Sequence, residues 1–160
     1  AKDIEWHFDG SGVETKHLAT CLYGVEIPKQ GGDTLFANGY LSLNALPPAL
    51  SKQVKSLSIT YSRLYLYERL GYAKKLSTEE LAQFSDVTKP LVVTHPVTQR
   101  EALVFSIEEC KCIDGMNESQ SYEFLSQLLE FITPMAWLRL ASQVGPLMGF
   151  FSFIHTLNKG

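Results

Sequence analysis

The sequence predicts a mostly β domain with helical decoration, an α+β fold, on three observations. Apolar and polar residues alternate with a period of two in several short runs, Gly- and Pro-containing turns separate those runs, and one long segment near residue 120 keeps a helical period. A chain of 160 residues suits one domain, and 45% hydrophobic content supplies the apolar material for a core.

Leu18 to Ile27 reads as a strand, closed by the turn Pro28-Lys29-Gln30-Gly31-Gly32, and the chain re-enters a strand at Leu35-Phe36. Leu41 to Lys55 carries two short helical pieces broken at Pro47-Pro48, because proline lacks an amide donor and disfavours helix in the residue before it. From Leu57 to Tyr67 the period returns to two. Tyr61, Arg63, Tyr65 and Tyr67 fall on one face, and Ser62, Leu64 and Leu66 on the other. This reads as an amphipathic strand; the alternative is that Arg63 or a tyrosine reaches a substrate pocket, since arginine pairs with carboxylate or sulfonate through a fork of donors.

Gly71 to Val87 is an excursion holding a short helix, opened by the capping box Ser77-Thr78-Glu79-Glu80 before Leu81 and Phe84. Leu91 to Thr94 and Ala102 to Ser106 form a hairpin about the turn Pro96 to Arg100, with His95 as a structural histidine at the strand end. Asn117 and Gln120 open the clearest helix. Phe124, Leu125, Leu128, Leu129 and Ile132 share its apolar face, and Thr133-Pro134 ends it.

A net charge of -3 without a basic run gives no reason to expect nucleic acid as partner. Gly145 to Ile154, the most hydrophobic stretch, is too short to span a bilayer, and Ala1 to Glu5 does not read as a signal peptide, so a cytoplasmic setting is the default. Three cysteines do not make a disulfide framework; Cys21 and Cys112 read as core thiols, with Cys110 undecided. His17, in a polar stretch, reads as a surface residue.

His7-Phe8-Asp9 carries the chemistry. An imidazole and a carboxylate at i and i+2 point to one face of a strand and can reach one metal together. Two histidines and one carboxylate on one face, with the opposite positions open, is the arrangement of non-haem Fe(II) oxygenases. Together with the apolar run Thr20 to Tyr23, Gly31-Gly32-Asp33-Thr34-Leu35-Phe36, and Thr94-His95-Pro96 through Leu103, this motif resembles the TauD/TfdA family, most strongly over residues 4 to 133.

The resemblance implies an Fe(II)- and 2-oxoglutarate-dependent dioxygenase on a double-stranded β-helix (a jelly-roll, cupin-like fold). Such an enzyme hydroxylates a small sulfonate- or carboxylate-type substrate with O2 and releases succinate and CO2. His7 and Asp9 match the family's first two iron ligands, and Thr34 matches the threonine that hydrogen-bonds a carboxylate of 2-oxoglutarate. In the family the region matching 71–87 forms a lid, and the His-Pro at 95–96 is a fold marker. After Pro134 the chain departs from the family pattern. Val144-Gly145-Pro146 through His155 keeps the rhythm of the distal-histidine strand without its acidic and amide residues, and no arginine follows.

His155 is the candidate third ligand, and Lys159 lacks the planar fork of the expected arginine. The expectation is therefore a single domain over 1–160, truncated at both ends and carrying the jelly-roll incompletely. The alternatives are a catalytically inactive or truncated family member and a non-enzymatic cupin-like binding module. Neither the substrate nor the oligomeric state is specified by the sequence.

Overall fold

The computed structural model describes residues 4–14, 34–133, 137–140 and 152–156. Its strands form three antiparallel sheets. The first joins β1 (Ile4–His7), β9 (Ser152–Thr156), β2 (Thr34–Asn38) and β8 (Trp137–Leu140) in that order, so the first and last strands of the described chain are neighbours. The second has β3 (Ser58–Tyr61) between β4 (Val87–Pro90) and β7 (Cys110–Ile113); the third is the hairpin of β5 (Val92–Thr94) and β6 (Glu101–Leu103). The helices are α1 (Gly39–Ala45), α2 (Pro48–Lys55), α3 (Arg63–Arg69), α4 (Thr78–Leu81) and α5 (Glu118–Ile132), with a 3-10 turn at Ala73–Lys75.

Local chemistry sets many of these boundaries. The Asn38 side chain accepts from the amides of Tyr40 and Leu41 and turns β2 directly into α1. Pro48 occupies the first helical position of α2, where its missing donor costs nothing. Both expected capping boxes form, Ser77 with Glu80 on α4 and Asn117 with Gln120 on α5. The hairpin is as expected, with shorter strands.

The core is built from Val54, Ile59, Tyr61, Leu91, Leu103, Phe105, Ile113, Leu125 and Leu128, all fully buried. Leu125 and Leu128 come from the predicted apolar face of α5, and Phe124 and Leu129 pack against the same cluster. The helix lies against β7, where the Ser121 hydroxyl accepts from the Ile113 amide and donates to the Asn117 carbonyl.

Three expectations change. The period-two run does not continue as a strand to Tyr67: β3 stops at Tyr61, and Ser62 becomes the N-cap of α3, its hydroxyl accepting from the Tyr65 amide at 3.2 Å. The strand gives way where Ser62 caps α3, its amide still making the last β3–β7 bond, to the Glu109 carbonyl at 2.9 Å. Cys110 is the buried thiol and Cys112 is only half-buried. Helix and strand are near balance among the described residues, so the β predominance is not seen there. The strand expected over 18–27, with His17, Cys21 and the Gly31-Gly32 turn, lies outside the described residues.

Candidate functional site

β1 delivers His7 at its last position, and the chain then turns at once. Gly10 has φ +81°, a left-handed conformation that costs glycine nothing. His7 therefore ends the strand and Asp9 opens the turn, so the two do not share one continuous strand face. The turn nevertheless brings Asp9 Oδ1 to 3.7 Å from His7 Nε2.

The His7 ring has a defined orientation. Its Nδ1 lies 2.8 Å from the Glu5 carbonyl, and because a carbonyl only accepts, Nδ1 carries the proton and donates. In the neutral ring Nε2 then carries the lone pair, on the side of Asp9. This is the arrangement in which an imidazole ligates a metal, the second nitrogen being fixed by a hydrogen bond to a backbone carbonyl. The side chains of His7 and Asp9 are 22% and 38% exposed, so the pair is reachable from solvent.

The register of β1 explains how His7 comes to this position. Ile4 stands opposite Thr156 and His7 opposite Ile154, three residues against two, so a bulge separates them. One extra residue in a strand re-aims the next side chain. Ile154 also stands opposite Phe36 of β2, which puts His7, Ile154 and Phe36 in one row across three strands. Thr34 is two residues from Phe36 and so occupies the same sheet face as His7, two strands away and two residues further along, roughly 12 Å at the usual strand spacing and rise. His155 stands opposite Leu35, the alternate position of the pleat from that row.

Around the pair, Phe8 meets Tyr61 edge to face at 5.8 Å, and Trp6 is buried in the core. Burial pushes the Tyr61 hydroxyl well above the ordinary tyrosine range and keeps it neutral. Lys89 donates to the Gly10 carbonyl at 2.7 Å. Arg63, weighed from the sequence as a substrate contact, has its Nε 3.6 Å from Glu109. His95 is buried, and its Nδ1 accepts from the amides of Val97 and Thr98 at 3.1 Å, the structural role expected of it.

Among the described residues no group of three His, Cys, Asp or Glu side chains is placed to hold a metal. The donor set of His7 and Asp9 fits a divalent ion as two ligands: one neutral imidazole nitrogen and one carboxylate within reach of each other. The sequence did not reveal Glu109, Lys89 or the Glu5 carbonyl as neighbours of the site. Their contacts cross about eighty to a hundred positions or use the backbone, and neither leaves a local pattern.

The model of the taurine catabolism dioxygenase TauD, TfdA family matches residues 1–150. A Schizosaccharomyces pombe protein named for alpha-ketoglutarate-dependent sulfonate dioxygenase activity is 30% identical over 134 residues, covering 82% of this chain and 33% of its own length. The (S)-phenoxypropionate/alpha-ketoglutarate-dioxygenase of Sphingobium herbicidovorans is 27% identical, covering 81% of this chain and 46% of its own.

Among solved structures, a Burkholderia xenovorans protein named for alpha-ketoglutarate-dependent 2,4-D dioxygenase activity superposes with a TM-score of 0.72 at 25% identity, over 96% of this chain and 57% of that one. AAD-2, solved with Mn(II) and N-oxalylglycine, gives 0.63 at 26% identity, over 84% of this chain and 46% of that one. The chain thus spans a third to a half of the length of these two curated relatives. With the family model matched over residues 1–150 and the fold shared with its solved relatives, the chain belongs to the TauD/TfdA family of Fe(II)- and 2-oxoglutarate-dependent dioxygenases.

Proposed function

We propose that this chain provides the metal-binding strand and the cosubstrate-binding strand of a dioxygenase that hydroxylates a small organic acid of the sulfonate or carboxylate class. The observation that carries this reading is the His7 ring, whose Nδ1–H is committed to the Glu5 carbonyl while Nε2 stands 3.7 Å from Asp9. His7 and Asp9 hold the iron, and Thr34, on the same sheet face, donates its hydroxyl to a carboxylate of 2-oxoglutarate. With O2, iron and 2-oxoglutarate supply the oxidising power for hydroxylation, and the cosubstrate leaves as succinate and CO2. The residues of this chain contribute position: a fixed imidazole tautomer and a carboxylate that offsets the ion's charge.

The named chemistry of the relatives supports the class, sulfonate in one and phenoxypropionate in another. The presence of Mn(II) and N-oxalylglycine in AAD-2 supports the pairing of a divalent ion with an oxo-acid ligand. A second reading, a member that keeps the fold without turnover, is favoured by the register of β9, in which His155 stands opposite Leu35 while Ile154 stands opposite His7.

The test measures Mn(II) binding by calorimetry and succinate release with Fe(II), 2-oxoglutarate and a panel of sulfonates and carboxylates. His7→Ala and Asp9→Ala are each expected to weaken Mn(II) binding at least tenfold and abolish succinate; Thr34→Ala is expected to weaken 2-oxoglutarate and spare Mn(II). Metal binding without succinate on any panel member selects the silent reading. A parent chain that takes up no Mn(II) and releases no succinate removes the dioxygenase reading and leaves the silent one.

A further inference from the structure

We propose that Glu109 is a positioning residue for the metal pair, acting through the turn that carries Asp9; the inference rests on the assignment of His7 and Asp9 as metal ligands. The Ser11 hydroxyl, buried beneath the turn, donates to Glu109 Oε2, and Arg63 Nε lies 3.6 Å from Glu109 Oε1. Gly12 packs so closely on this carboxylate that a Cβ there would stand 3.0 Å from Oε2 and 3.2 Å from Arg63 Cγ. The seat of the turn is therefore shaped to the carboxylate, and Glu109 is only 16% exposed.

The segment behind Glu109 grips the other side of the ligand pair. The Ile107 amide donates to the Trp6 carbonyl at 3.3 Å, and the Glu108 carboxylate accepts from the Glu5 amide at 3.2 Å. Residues 107–109 thus hold β1 just before His7 and the turn just after Asp9. Glu109 is itself held, since its carbonyl accepts from Ser62 at the start of α3. Lys89 closes the turn from the opposite side through the Gly10 carbonyl, with its ammonium 5.7 Å over the Phe8 ring.

A carboxylate ligand on a two-residue tether from its partner holds a metal only as well as its backbone is fixed. Outer contacts that orient ligands are worth tenfold to a hundredfold in affinity. Glu109 joins the Asp9 turn to α3, taking Ser11 on one carboxylate oxygen and facing Arg63 with the other.

The test compares parent, Glu109→Ala, Glu109→Gln, Ser11→Ala and the remote core variant Leu128→Ala in the full chain, by amide hydrogen exchange without metal and by Mn(II) calorimetry. Glu109→Ala is expected to speed exchange at residues 10–12 about tenfold and weaken Mn(II) about tenfold. Glu109→Gln keeps an acceptor for Ser11 and recovers part of both effects. Ser11→Ala, the milder variant should Glu109→Ala not fold, moves both readouts in the same direction. Leu128→Ala lowers the melting temperature yet leaves Mn(II) affinity and exchange at 10–12 at parent values.

Unchanged exchange at 10–12 in Glu109→Ala and Ser11→Ala overturns the clamp, and faster exchange with parental Mn(II) affinity overturns its role toward the metal. A parent that binds no Mn(II) overturns the metal reading and that role with it, while the exchange arm still reports the clamp separately.

Discussion

The His95 ring sits at the end of β5 and takes the place of a backbone acceptor, receiving the amides of Val97 and Thr98 on one nitrogen. Removing it takes two hydrogen bonds from an exposed turn whose amides water can then reach, so His95→Ala is expected to cost about 1 kcal/mol, read as a lower urea midpoint at unchanged slope. His95→Asn should recover part of the loss, because an asparagine side chain reaches the amide two residues on. Equal stability of parent and His95→Ala would show that the turn needs no side-chain acceptor. That His95 is structural was legible in the sequence, from its place beside Pro96 at a strand end; that its ring accepts two turn amides was not. Nor was Cys110 as the buried thiol. It stands two positions before Cys112, which in a regular strand puts both on one face, and the register shift opposite Thr60 and Tyr61, which the sequence does not show, separates them. Burial, with Cys112 nearby, pushes the Cys110 thiol up to about 12, which leaves it protonated and inert at neutral pH.

At the scale of elements, helices opened by complete capping boxes were readable and the helix opened by a lone serine cap was not. The boxes Ser77–Glu80 and Asn117–Gln120 are spelled within four residues, whereas Ser62 caps α3 with Tyr65 in place of the Glu or Gln three positions on. Tyr61, Arg63, Tyr65 and Tyr67 satisfy a period of two in sequence, but the Ser62 cap carries all but Tyr61 into α3. The same corner is braced by Asp86, just before β4, and Lys111 on β7, 2.6 Å apart across the end of β3. The hydrogen bond from Lys111, backed by Ser62, holds the Asp86 carboxyl below its ordinary value, and Asp86 in turn raises Lys111. The Asp86 contribution is present above the unfolded-state value near 4 and is lost as pH falls through the lower folded value. The Lys111 contribution is present below about 10.5 and is lost at higher pH as the folded value is passed. Both side chains are more than a third exposed, so screening limits the pair to a few tenths of a kcal/mol. Asp86→Asn is expected to lower stability by about that amount at pH 7, with the difference from parent closing near pH 2. A difference of the same size at both pH values would mean that packing, not charge, is what the substitution removes.

Over the whole molecule, the sheet that unites the two ends of the described chain decides what the site can bind. The bulge in β1 and the register of β9 set His7, Ile154 and Phe36 in one row with Thr34 further along the same face. Neither could be read from the sequence, because a register shift of one residue exchanges the faces of a strand while leaving its pattern intact. His155 looked like the third ligand by order along the chain, yet its register partner is Leu35, a core residue. This difference is measurable through mass action, since a ligand that binds only the folded chain stabilises it by RT ln(1 + [L]/Kd), about 2.7 kcal/mol at a hundredfold excess over Kd. For a chain of 160 residues that is a rise of about 5–10 °C in melting temperature on adding Mn(II). His7→Ala and Asp9→Ala are each expected to erase the rise, while His155→Ala should retain it, because position 155 alternates with the row that holds His7. Loss of the rise in His155→Ala, with the metal-free melting temperature unchanged, would instead return His155 to the ligand set and require β9 to pair one residue out of the register seen here.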